Sequence, residues 1–77
     1  MIQGKYCRLR NAVTKAEVQV AEDFTDGVHM IRFFYADAKD GLFHEIAQQT
    51  CKDDAEFGAM WEDTIISFKR RDWEVIQ

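Results

Sequence analysis

The residue types best equipped for chemistry fall into three groups. Between Glu22 and Phe43 the chain twice spells Asp-x-x-Asp-Gly, first as Asp23, Asp26 and Gly27 and again as Asp37, Asp40 and Gly41. Paired carboxylates in a glycine-containing loop suggest a cation site. Calcium, however, takes about six to eight oxygens and usually a bidentate glutamate closing the loop. Each copy offers two carboxylates and no such glutamate, and Glu22 adds only a third acid to the first copy. Asp-Gly between strand-like runs is instead a strong hairpin signal, because glycine tolerates positive φ and aspartate hydrogen-bonds nearby backbone. Both stretches are therefore expected to be turns.

His29, His44, Cys7 and Cys51 form the second group. They are zinc-ligand types, but the closest pair in sequence, His44 and Cys51, has six residues between its members, too many for a local ligand pair. Cysteine and histidine could also act as nucleophile and base. The sequence nevertheless lacks a Gly-x-Ser-x-Gly elbow, a phosphate-cradling glycine loop and a His-Glu-x-x-His pair. His44 and Glu45 are adjacent, which on a strand would point them to opposite faces. The expectation is half-buried strand histidines and core cysteines, with no catalytic residue, metal ligand or cofactor assigned. Two cysteines make no disulfide framework, so free thiols in a reducing cytoplasm are expected.

The third group is a row on one strand, Tyr6, Arg8 and Arg10. Arginine with an interleaved aromatic can hold phosphate and stack a base. It equally suits a protein interface, where tyrosine and arginine are enriched, or a solvated edge that deters pairing. Overall charge bears on the choice. Lys5, Arg8, Arg10 and Lys15 give the first fifteen residues +4, and the remaining six basic and fourteen acidic residues give −8, for a net −4. An acidic majority repels a polyanion and places a protein partner ahead of nucleic acid.

The elements that must position these groups follow from periodicity. With 77 residues, 47% hydrophobic and 13% aromatic, the chain has the material for one domain and one core. Its size is near the limit at which a single core suffices. No run approaches the ~20 apolar residues of a membrane span, and the N-terminus lacks the apolar stretch of a signal peptide. Cys7, Leu9 and Val13 alternate with Tyr6, Arg8 and Arg10, and Asn11 breaks the inward row, so a strand should end or bulge there. Ala16, Val18 and Val20 alternate with Glu17, Gln19 and Asp23, which reads as a half-buried strand.

Residues 28–36 are apolar on both faces, with Ile31, Phe33 and Tyr35 on one and Val28, Met30 and Phe34 on the other. Such a strand should be covered on both sides and lie within the sheet. Residues 42–49 fit either a fourth strand or a helix, and strand is the reading adopted. Thr50 and Asp53 resemble a capping box. Beyond them Phe57, Met60, Trp61, Thr64, Ile65 and Phe68 form one helical stripe, with acids in the first turn and bases in the last, complementing the dipole. A helix of this length, about 30 Å, matches a nine-residue strand and could lie along the sheet. Gly58 costs about 1 kcal/mol against alanine there, which suggests a close backbone approach. Residues 72–77 alternate and could add a short edge strand.

The expected architecture is α+β: an antiparallel meander of about four strands packed on one long C-terminal amphipathic helix, as a single domain over residues 1–77. One helix covers one sheet face, so the other needs a second helix, sheet curvature or another chain. The expected role is a small soluble cytoplasmic protein–protein interaction module, a homodimer or a bacterial or phage-type regulator or inhibitor, working by contact. Its candidate contact residues are Tyr6, Arg8, Arg10, Ile31, Phe33 and Tyr35. A nucleic-acid-binding domain using the basic strand is the alternative.

Overall fold

The computed structural model describes residues 4–36 and 41–77. Strands β1 (Tyr6–Asn11), β2 (Glu17–Thr25), β3 (Val28–Ala36) and β4 (Phe43–Cys51) are followed by α1 (Asp54–Arg70) and β5 (Trp73–Val75). They form one antiparallel sheet in the order β4-β3-β2-β1-β5, with the helix packed on one side. The architecture is the expected α+β meander, with the last strand returning to pair with the first.

Local chemistry explains the element ends. Asp26 and Gly27 have φ of 53° and 76°, the paired positive values of a two-residue hairpin turn, and Thr25 faces Val28 across it. The Asp23 carboxylate accepts a 2.6 Å hydrogen bond from the Thr25 hydroxyl, so it serves the turn. In the second Asp-x-x-Asp-Gly, Asp37 and Asp40 lie outside the described residues. β1 ends at Asn11, whose buried side-chain oxygen accepts from the N–H groups of Val13 and Thr14 while its amide donates to the Arg71 carbonyl. One buried side chain thus closes the β1–β2 turn and ties it to the end of the helix.

Residues 43–51 are strand, which decides the segment that periodicity left ambiguous. Between Phe33 and Phe34 the register slips, Phe33 pairing Ala47 and Phe34 pairing Glu45, so Ile46 is the extra residue of a bulge. The strand runs through Thr50, and the helix cap is Asp53 instead: its carboxylate accepts from the Glu56 N–H at 2.8 Å. Glu56 accepts in turn from the Lys52 N–H, one residue before the cap, so a pair resembling a capping box is built three residues later in the chain than Thr50 and Asp53 suggested.

The helix does not run parallel to the strands. It leaves β4, one edge of the sheet, and delivers the chain to β5, the opposite edge. Five strands at ~4.8 Å spacing put those edges roughly 19 Å apart, within the ~26 Å reach of seventeen helical residues. α1 therefore crosses the sheet diagonally, from His29 and Cys51 at the Asp26–Gly27 end to Trp73 at the Asn11 end. Phe57 stacks on His29 at its start, and Phe68 meets Trp73 edge-on at its finish.

The core under the helix comprises Cys7, Leu9, Val18, Val20, Ile31, Cys51 and Phe57, with Met60, Trp61, Ile65 and Phe68 packed against it. A diagonal rod on a rectangular sheet leaves two corners uncovered. One shallow cleft opens beside β1, at Lys5, and the other beside β3, at Phe33. No helix among the described residues is long and apolar enough to cross a membrane.

Candidate functional site: the uncovered face of the sheet

Pairing assigns each predicted contact residue to a face. Val20 lies opposite Phe33 and Cys7, and Val18 opposite Tyr35 and Leu9. Ile31, Phe33 and Tyr35 are therefore on the helix side. Ile31 is fully buried, at 0% exposure, and cannot belong to an exposed contact surface of this chain. Phe33 is half-buried and floors the cleft beside α1, while Tyr35, also half-buried, lies farther along the strand. Of the two apolar rows on β3, the uncovered one is Val28, Met30 and Phe34. It shares its face with Tyr6, Arg8 and Arg10, so half of the predicted set is brought together there and half is not.

That face is built from arginine stems, rings and carboxylates. Glu17 on β2 receives both β1 arginines: Arg8 Nε donates to it at 2.7 Å and Arg10 at 2.9 Å, and the Arg8 terminal nitrogen also pairs with it. Hydrogen bonds from Arg10 and then Arg8 hold the Glu17 carboxyl below its ordinary range. Arg32 on β3 hydrogen-bonds Glu45 on β4, which likewise depresses the Glu45 carboxyl, and lies 3.7 Å from Asp23. The cations also lie over rings: the Arg8 guanidinium is 5.5 Å from the Phe43 centroid and that of Arg32 is 5.6 Å from Phe34. Arg8 and Phe43 belong to strands three apart in the sheet, so their side chains meet across the face and shade what lies between.

Sequence reasoning missed Glu17, Glu45 and Phe43. A signal existed for Glu17: a tight reversal between Asn11 and Ala16 places Arg10 directly opposite it, as observed. Opposite charges facing across an antiparallel pair stabilise it.

The sheet keeps the two histidines apart and sets His29 directly opposite Cys51. His29 pairs with Cys51 and His44 with Tyr35, at opposite ends of the β3–β4 ladder, roughly 20 Å apart at the strand rise. No group of three potential ligands able to hold a metal ion occurs among the described residues.

His29 sits in a buried node under the first turn of α1. Its Nε2 is 2.6 Å from Glu22 Oε2, and the other Glu22 oxygen accepts the Lys5 N–H at 2.9 Å. Nδ1 is 3.2 Å from Asp54 Oδ1, an ion-pair distance, but outside hydrogen-bond alignment. The ring stacks on Phe57 with centroids 4.2 Å apart. Burial pushes the Glu22 carboxyl up, but the Lys5 N–H and His29 together outweigh it and hold the group below its usual range.

Cys51, opposite His29, has its thiol pushed up by burial and then by Glu56 and Glu22. Cys7 is pushed up by burial, partly countered by Lys69. Both cysteines are free and buried. A nucleophilic cysteine requires the reverse shift, toward thiolate. The node docks the helix onto the sheet.

The chain matches no family model, and neither a curated protein nor a solved structure shows significant similarity to it.

Proposed function

We propose that this chain is a binding module that engages a protein partner through the uncovered face of its sheet. The observation carrying this reading is that every arginine on that face is paired with a carboxylate of the same face: Arg8 and Arg10 with Glu17, Arg32 with Glu45 and Asp23. A surface that neutralises its own cations offers little free positive charge to phosphates, whose neutralisation supplies most nucleic-acid affinity. What it does offer is Tyr6, Phe34, Phe43 and Met30 set among arginine stems, the composition of interface cores. The raised thiol pKa values of Cys7 and Cys51 support action by contact over covalent chemistry.

The Tyr6–Arg8–Arg10 row keeps a nucleic-acid reading in competition, because Phe43 and Phe34 beside it could stack bases. Titration of labelled single-stranded RNA and DNA at low and high salt separates the two. Negligible binding at low salt is expected; tight binding with a steep salt slope would replace the protein reading. Affinity purification with the wild-type chain and with an Arg8→Ala/Phe34→Ala/Phe43→Ala variant then tests the face itself. Loss of the retained partner in the variant is expected, and retention of an unchanged set would refute the assignment. Light scattering at micromolar concentration decides whether that partner is a second copy of the chain.

A further inference from the structure

Gly58 stands in the interior of α1, where glycine is the most costly residue after proline. The usual justification is that a neighbouring backbone packs too closely for a side chain. Here a Cβ built on Gly58 would meet nothing within 4 Å, so no contact within the described chain accounts for the glycine. Its missing side chain instead deepens the cleft that the diagonal helix leaves beside β1. Trp61 and Ile65 form the inner wall of that cleft, Ile66 its outer rim at 41% exposure, and Lys5 and Lys69 also line it. Neither lysine makes an ion pair among the described residues, unlike Arg8, Arg10 and Arg32 on the opposite face. Glu62 is the one acid in the lining, so the lining residues sum to +1 in a chain of net −4; Glu22, beside Lys5, is held by the Lys5 N–H and His29.

We infer that this cleft receives an acidic segment of a partner protein, with an apolar side chain seated over Gly58 against Trp61 and Ile65 and carboxylates meeting Lys5 and Lys69. A notch, an indole wall and two cations that form no ion pair among the described residues are the complements of an apolar anchor flanked by acids. The inference shares the reading of the chain as a binding module but concerns a second surface, across the sheet from the first.

The test uses a random peptide display library selected on the wild-type chain and counter-selected on Gly58→Leu. Leucine is a better helix former and enters empty space, so the variant is expected to melt no lower than wild type by circular dichroism. Gly58→Ala serves as a second folded variant. Enriched peptides should carry acidic residues around an aromatic or aliphatic anchor. By fluorescence anisotropy they should bind Gly58→Leu and Lys5→Glu/Lys69→Glu roughly tenfold or more weakly than wild type, a difference of ~1.4 kcal/mol or above. Their affinity for the Arg8→Ala/Phe34→Ala/Phe43→Ala variant should be unchanged, which separates this cleft from the open sheet face. Failure to enrich any peptide that depends on Gly58, or enrichment of peptides with basic flanks, would overturn the inference while leaving the open-face reading to its own experiment.

Discussion

The two faces of the sheet solve the same problem by different means. On the helix side, Leu9, Val18, Val20 and Ile31 are sealed beneath α1 by apolar packing. On the other side no helix of the described residues lies over Met30 and Phe34, yet both are half-buried. Arg32 lies over Phe34 and Arg8 over Phe43, with the arginines paired to Glu17, Glu45 and Asp23. Long cationic side chains cover apolar surface while keeping their heads in water. An apolar row on a strand therefore does not by itself require a second helix or a second chain. The open face can be reached without unpacking the helix, because exposed arginine–carboxylate pairs are displaced at far less cost than a packed helix.

The sharpest way to break this comparison is to truncate one apolar residue on each face of β3. Ile31→Ala leaves a cavity in a sealed core and is expected to cost about 3–4 kcal/mol, while Phe34→Ala removes a ring covered only by arginine and should cost on the order of 1 kcal/mol. Urea denaturation of both variants measures the ratio, and equal losses would mean that the two faces are equally packed.

Next in size is Asn11→Ala. It orphans the N–H groups of Val13 and Thr14 and the Arg71 carbonyl, a loss of roughly 2 kcal/mol that should appear as faster amide exchange in the β1–β2 turn and at the helix end. Helix capping comes third. Asp53→Ala should lose about 1 kcal/mol of stability and Thr50→Ala close to none, because only Asp53 accepts a helical N–H. Gly58→Ala should gain up to about 1 kcal/mol by thermal melting.

The smallest effect belongs to the open-face ion pairs and is visible in its pH dependence. Glu17 and Glu45 have carboxyls depressed below 4.5 by their arginines. Their contribution is present above the unfolded value, near 4.5, and fades as pH falls through the lower folded values. Glu17→Gln should flatten that acid limb in a stability–pH series while leaving the neutral region little changed, since exposed pairs are worth little.

Much of this could be seen in the residue order. Alternation marks β2, a 3.6-residue stripe marks α1, and Asp26-Gly27 marks the hairpin. Which side of β3 faces the core cannot be seen in β3 alone, because both of its rows are apolar. It becomes visible once the two-residue turn sets the pairing, since Val20 must then face Phe33 and Val18 must face Tyr35. With the apolar face of β2 inward, Ile31 and Phe33 follow it inward, and the exposed row has to be Val28, Met30 and Phe34. The helix cap was misplaced for a different reason. Thr50 and Asp53 both suit a cap, and how far β4 stays paired with β3 decides between them.

The sequence by itself determined β2, β3, α1, their order and the β2–β3 hairpin register, because backbone propensity and side-chain alternation act over a few neighbouring residues. Only the tertiary structure decided that β5 returns to the β1 edge. That return sends the helix across the sheet on a diagonal and opens the clefts at Lys5 and Phe33. It likewise decided that Arg8 meets Phe43 over two intervening strands. Such contacts join residues far apart in the chain, and their geometry comes from the closing of the whole sheet, which no local pattern encodes.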